Sequence, residues 1–335
     1  GVRFPIAGGE VFAGKESEMV TYIVRRVVFL LPVALLVSFI TFYLIHLVPG
    51  NPASVLLGEE ATPQNVAALT KQLGLDKPLS TQYGLWLLQA LHGNLGQSIQ
   101  LSEPVTQAIF DRLPVTAELG IASLLYSIIL AIPLGVLSAT RQNSRLDWLV
   151  NVTSLFGTAI PSFVLGLGLI ILFAASLRIF PPGGYVPFAE DPAGNIKDLI
   201  LPMITLGTGA VAVNMRQVRA SMLEVLNQDY IKTAWAKGLR ARRVYYFHAL
   251  RNALLPFLTI VGLQAGAILG GAVIVETIFL WPGIGQLAVQ SILAKDYPVI
   301  QGIVLLAALS YLVINLLVDV GYGVLDPRIS YGKGH

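Results

Sequence analysis

No cysteine occurs among the 335 residues, which rules out disulfides, iron–sulfur clusters and thiol chemistry. Histidine is nearly as scarce. His46, His92, His248 and His335 are scattered, with no metal-ligand spacing such as H-E-x-x-H. No Gly-x-x-x-x-Gly-Lys-[Ser/Thr] phosphate loop exists either; Gly14-Lys15 and Gly332-Lys333 lack its spacing, so the chain has no nucleotide-splitting site of that kind. Charged residues make up only 12% of the chain, about half the share in a soluble domain. The basic residues flank apolar runs, which argues against nucleic acid as a partner. No histidine lies centrally in an apolar run, so no nucleophile–base pair of a membrane enzyme takes shape.

What is abundant is apolar. Hydrophobic residues form 55% of the chain and the mean hydropathy is +0.70. Charge-free runs long enough to cross a bilayer recur, which predicts an all-α, polytopic membrane protein with six transmembrane helices. Residues 1–18, Gly-rich and ahead of Met19, are expected to be an expression remnant or an upstream extension. Arg25 and Arg26 precede the first run, 27–48, which is too long for a signal peptide and reads as an uncleaved span closing the unit 19–48. Residues 49–113 form a large external loop region, with helical spacing of apolar residues around 83–91.

A five-helix core is expected over 114–335. Its spans are 119–138, with Pro133 near one end; 148–177, divided by Pro161; 199–215, rather short; 253–275; and 299–318. The third is longer than a bilayer needs, so a kink or tilt at Pro161 is expected. Gly262, Gly266, Gly270 and Gly271 in the fifth stand at spacings that let helices approach closely. With the N-terminus inside, Lys and Arg concentrate on the cytoplasmic side. Lys71, Lys77, Arg112, Arg178, Lys197 and Lys295 fall outside, although the outer loops are longer. Both termini are therefore expected in the cytoplasm.

One polar stretch interrupts this pattern. Residues 229–252 read DYIKTAWAKGLRARRVYYFHALRN, with six basic residues against Asp229. A short helix, a left-handed turn at Gly238 and a second helix are expected. The pattern Tyr-x-x-Thr-Ala-x-x-Lys-Gly, then His-Ala-x-Arg-Asn-Ala-Leu-x-Pro, resembles the cytoplasmic loop of the membrane subunits of ABC importers. Three further stretches resemble the same family, closest to its dipeptide, oligopeptide and nickel branch. They are the order Pro-Gly-x-Pro to Arg-Leu-Pro-x-Thr in the first external region, Glu276 with Pro282-Gly283-x-Gly285, and Asp319 with Leu325-Asp326-Pro327-Arg328. Asn51 and Asn94 stand where many members carry aspartate.

This resemblance implies the type I ABC importer permease fold in a bacterial or archaeal cytoplasmic membrane. It implies a second permease subunit, expected as a heterodimer, and an external solute-binding protein. Two cytoplasmic ATPase subunits would use ATP and Mg, while this chain binds no cofactor. The ATPase-coupling residues, within a loop over 224–252, would be Asp229, Tyr230, Thr233, Ala234, Lys237, Gly238, Arg240, His248, Arg251 and Asn252. Small Thr233 and Ala234 are expected to permit close approach of the ATPase.

Asn214, Met215, Gln217 and Gln264 are candidates to line the substrate pathway or, alternatively, to hydrogen-bond between helices. Glu276, Pro282 and Gly283 are candidates for an external gate or for anchoring an outer turn. Peptide is the expected cargo, with nickel or another small solute as the alternative. A secondary transporter would need ion-coupling acids, which are lacking.

Overall fold

A computed structural model describes residues 26, 28–43, 53–54, 61–72 and 74–325. The expectations for 1–18, for Asn51 and for the signature at 326–328 lie outside these residues. Among the described residues the fold is all-α, its one β feature being an isolated bridge between Gln97 and Pro104. An apolar helix α1 (Val28–Tyr43) is followed by α2 (Pro63–Gln72) and α3 (Leu79–Leu91). Then come α4 (Val105–Thr140), α5 (Arg145–Ala159) and α6 (Ser162–Leu169), the last continued by a π-helical stretch, Ile170–Ser176. Next are α7 (Pro192–Leu226), the short α8 (Asp229–Ala236) and α9 (Leu250–Ile278). The last is entered through Ala241–Arg243 and a π-helical turn, Val244–Ala249. Two helices, α10 (Ile284–Leu293) and α11 (Tyr297–Leu325), complete it.

Four helical segments among the described residues are long and apolar enough to cross a membrane, five if the bent pair of α5 and α6 counts as one. The described part of the first expected span, Val28–Tyr43, is apolar but shorter. The loop helix α3 packs its aromatic face against α1. Tyr83 and Trp86 stand 5.6 and 5.8 Å from Phe42, and the hydroxyls of Tyr83 and Ser38 are 2.9 Å apart.

Three expected boundaries move. Expected over 119–138, the second span runs from Val105 to Thr140, so 105–113 leaves the external region. Pro104 starts the helix, and Pro114 and Pro133 are absorbed within it. The fourth span is long rather than short, because its ends are set by caps and not by apolarity. Asp191 Oδ1 accepts from the backbone N–H groups of Ala193 and Gly194, with Pro192 at the first helical position. Lys197, Asp198, Arg216 and Arg219 then ride on a continuous helix. At Pro161 the chain turns by 102°, a break rather than a kink. Proline there forces the preceding residue out of helical backbone, and Ile160 sits at φ −77°, ψ 120°.

The bundle centres on α7, which packs against α4, α9 and α5. Close approach needs small residues at particular points. A Cβ on Gly135 would lie 2.7 Å from Val218 Cβ, and one on Gly266 would lie 2.9 Å from Tyr311. Of the four glycines expected to permit packing, Gly262 and Gly266 face α11. Gly271 faces Leu206, and Gly270 meets nothing within 4 Å.

Candidate coupling site

α8 has only eight residues, too few to hold a helix alone in water. Its stability comes from one buried edge. Ile231 is 1% and Ala234 7% exposed, three residues apart on one face. They sit in an apolar cluster with Val136 and Ala139 of α4, Val218 and Met222 of α7, Val244 and Ala249 of the π turn, and Ala253 and Phe257 of α9. Burying Ile231 contributes about 2 kcal/mol.

Two side-chain contacts brace the other edge. Asn252 Nδ2 donates to the Tyr230 hydroxyl at 2.7 Å, joining two motif residues that stand 22 apart. Trp235 meets Tyr245 edge-on at 5.8 Å.

The end of α8 is a glycine cap. Gly238 has φ +73°; its N–H donates to the Trp235 carbonyl at 2.9 Å and that of Leu239 to the Ala234 carbonyl at 3.4 Å. This paired pattern requires a left-handed residue at Gly238. A Cβ there would meet nothing within 4 Å, so the constraint is backbone and not space.

Asp229, Tyr230, Lys232, Thr233 and Lys237 are exposed, as are Arg240, Arg251 and Asn252; His248 is half-buried. Lys232 Nζ lies 2.8 Å from Asp229 Oδ1 and holds that carboxyl below its ordinary range. Ala234 departs from expectation: it faces its own bundle and not an incoming partner. Its smallness lets α8 lie close on α4 and α7, and Thr233 alone of the pair is outward.

Beside this site stands a group that the motif reading passes over. Arg219 of α7 grips Asp147 of α5 with two hydrogen bonds, Nε to Oδ1 at 2.7 Å and Nη2 to Oδ2 at 2.8 Å. Ser138 Oγ donates to Oδ1 at 2.5 Å and the Asn143 N–H to Oδ2 at 3.0 Å. Asp147 is 4% exposed. The one signal in sequence is Ser144, whose hydroxyl accepts from the Asp147 N–H as a helix cap; nothing local points to a partner 72 residues on. Asp147→Ala strands the Arg219 guanidinium and is expected to cost about 3 kcal/mol. A lowered thermal midpoint in detergent checks this, and an unchanged midpoint refutes it.

About 40 Å along α9 the chain makes a second knot. Glu276, fully buried, accepts from the Thr116 hydroxyl at 2.7 Å and from the Gln286 N–H at 3.0 Å. Thr116 Oγ1 in turn accepts from the Ile284 N–H at 2.8 Å. Trp281 Nε1 donates to the Val115 carbonyl at 3.0 Å. A Cβ on Gly283 would collide with the Glu276 carboxylate, which explains glycine there; Pro282 is half-buried beside it. Tyr185 stacks edge-on against Trp281 at 4.7 Å and donates to Glu118 at 3.1 Å. Burial, then the Glu118 charge, push its hydroxyl up to about 12.

Of the residues named as pathway candidates, Asn214 and Met215 are buried, and Gln217 and Gln264 are half-buried. Asn214 is fully buried, and its Nδ2 donates to Ser127 Oγ at 2.7 Å and Gln264 Oε1 at 2.8 Å, tying α7 to α4 and α9. Met215 is 3% exposed, packed with Ala131 and Val150. Gln217 donates to Ser221 within its own helix. A cleft of about 350 Å³ at the 102° bend is lined by Thr158, Ser162 and Thr205 together with the apolar Ile160, Leu165 and Leu206.

Comparison with known proteins agrees with this architecture. Residues 131–331 match the model of the binding-protein-dependent transport system inner membrane component. That match spans the end of α4 and α5 to α11, including the Asp147–Arg219 pair and Glu276. The chain belongs to this family. Residues 19–120 match the N-terminal part of such membrane components. Among relatives of this inner membrane component, the dipeptide transport system permease protein DppB of Alkalihalophilus pseudofirmus is 43% identical, over 93% of this chain and all of the relative. DppB of Escherichia coli K12 is 40% identical, over 94% of this chain and all of the relative. The inner membrane component described here is thus a multi-pass permease of a transport system.

Proposed function

We propose that this chain forms half of the passage of an ATP-driven peptide importer. One of two ATPase subunits grips the outward face of α8, through Asp229, Tyr230, Thr233, Lys237 and the turn at Gly238, and the other serves the second permease subunit. Arg240, His248, Arg251 and Asn252 flank that grip, and Ala234 serves it from beneath by seating α8. ATP and Mg are used in the ATPase subunits; this chain is non-catalytic and carries no cofactor. A second permease subunit supplies the other half, as a heterodimer. A solute-binding protein outside hands over dipeptides or oligopeptides, the cargo named for the two relatives. The coupling end and both termini lie in the cytoplasm.

The observation that carries this reading is the way α8 is seated. Its buried edge is shared by α4, α7 and α9, so a push on its open face moves three membrane helices together. Such a push changes transport only if ATP binding favours one arrangement of those helices over the other. Within the passage, the cleft at the Pro161 bend is the wall that this subunit contributes. Glu276, Pro282 and Gly283 hold the outer turn that closes it.

Reconstitution tests the whole reading. Vesicles holding this chain, the second permease subunit, both ATPases and the binding protein are expected to accumulate dipeptide only with ATP and Mg. Uptake by this chain alone would refute it. Gly238→Val, which forces a β-branched residue into left-handed backbone at a cost of about 1–2 kcal/mol, is expected to lose most uptake yet insert normally. Gly238→Asn is expected to keep it, since asparagine tolerates that conformation.

A further inference from the structure

The seat of α8 stops short of the cleft at the Pro161 bend. The apolar cluster under Ile231 and Ala234 draws on α4, α7 and α9, and among the described residues it holds nothing from α5 or α6. The cleft, however, forms where α5 gives way to α6. Movement of α8 must therefore cross to α5 from a neighbouring helix.

One contact on that crossing has direction. α5 runs antiparallel to α7, with Val150 beside Met215 and Gly157 beside Ala212. Apolar contacts of this kind are non-directional, so they hold two helices together without fixing how far one slides along the other. Among the described residues, the hydrogen bonds that join α5 to α7 are those between Asp147 and Arg219. A fork of two such bonds sets both the position and the angle of guanidinium against carboxylate.

The pair also adjoins the seat. Arg219 follows Val218 and precedes Met222, both packed under α8; Ser138 lies between Val136 and Ala139, which are packed there too. Arg219 Nε donates to Ser138 Oγ at 3.1 Å, and both residues donate to Asp147 Oδ1. A shift imposed on α4 and α7 at α8 thus reaches Asp147 through both helices. From Asp147 to Ala159, α5 is unbroken helix about 18 Å long. A displacement at its first turn arrives at its last, where Gly157 and Thr158 line the cleft.

We infer that Asp147 and Arg219 are positioning residues that carry the movement of α8 to the wall of the cleft supplied by α5. This rests on the reading of α8 as the ATPase contact. It gives the pair a role beyond stability: the fork keeps α5 in register with α7 while both move.

The test uses the assembled transporter in vesicles. The chain has no cysteine, so Thr158→Cys puts its one thiol in the cleft, where Thr158 is exposed. The rate at which a water-soluble maleimide labels this chain is read with and without a slowly hydrolysed ATP analogue and Mg. With the pair intact, the two rates are expected to differ about tenfold, within the usual range of coupling between sites. Arg219→Lys keeps the charge opposite Asp147 and removes the fork. It is expected to bring the two rates together and, with Thr158 in place, to lower dipeptide accumulated per ATP hydrolysed about tenfold. Val150→Ala is the control, since it loosens the same helix in its apolar contact and leaves the fork alone. It is expected to lower the thermal midpoint at least as far as Arg219→Lys and to keep the response to nucleotide. A full response in Arg219→Lys overturns the inference. So does an equal loss in Val150→Ala, which would reduce the pair to one stabilising contact among others. Absence of any response with the pair intact, in vesicles whose unsubstituted transporter accumulates dipeptide, overturns the inference and leaves the importer reading standing. Absence of ATP-driven uptake by the unsubstituted assembly strikes down that reading, and the inference with it.

Discussion

Ala234→Glu is expected to abolish both ATP-driven uptake and co-purification of the ATPase subunits, while the chain still inserts in the membrane. Ala234 is 7% exposed and faces an apolar cluster shared by α4, α7 and α9. An unpaired carboxylate driven into that cluster costs several kcal/mol. Against this stands about 2 kcal/mol from the burial of Ile231. The penalty wins, so the carboxylate is expected to swing out and take α8 with it. Undocked, an eight-residue helix does not persist. The Tyr230–Asn252 hydrogen bond and the Trp235–Tyr245 contact go with it. Ala234→Ser separates this mechanism from a direct partner contact. Its hydroxyl can bond back to the carbonyl four residues earlier, so α8 stays seated and near-normal uptake is expected. Recovery of the full complex from Ala234→Glu at wild-type yield would contradict the account.

How much of this was legible beforehand varies with range. The turn at Gly238 was readable because its cause is local: a glycine after a helical run, with basic residues around it. The inward direction of Ala234 was also written in the sequence, since Ile231 and Ala234 share a face and Thr233 does not. Pairing Thr233 with Ala234 as small residues overlooked the helical period. The membrane-spanning runs at 253–275 and 299–318 were found because apolarity alone marks them.

The fourth span was underestimated for the opposite reason. Lys197, Asp198, Arg216 and Arg219 end an apolar run without ending a helix, whose limits are set by Asp191 and Asn227. The Asp147–Arg219 pair was beyond reach, because two residues 72 apart meet only after α5 and α7 have packed. The depth of the bend at Pro161 belongs with it. Proline licenses a break, and only packing of both arms against α7 decides that it opens to 102°.

Glu276 offers the sharpest separation between a gate and an anchor. If it anchors, Glu276→Ala is expected to lower folded yield and thermal midpoint, with no solute leak through what remains. The carboxylate receives the Thr116 hydroxyl on one oxygen and backbone N–H donors of Gln286 and Gly285 on the other. Alanine leaves all of these buried donors without an acceptor, and each such group costs about 1–3 kcal/mol. Glu276→Gln is the informative partner. Its amide oxygen can face the two backbone N–H groups, and its NH2 can donate to Thr116 Oγ1, which keeps an acceptor lone pair. Only the Thr116 hydroxyl proton is then displaced, so a loss of about 1 kcal/mol and largely intact uptake are expected. A gate predicts the reverse pattern. Glu276→Gln would then keep its stability and pass solute without ATP, because the change in charge and not the lost framework would matter. Measuring thermal midpoint and ATP-independent efflux on the same vesicles decides between them. Full burial of Glu276, with acceptors engaged on both sides, favours the anchor.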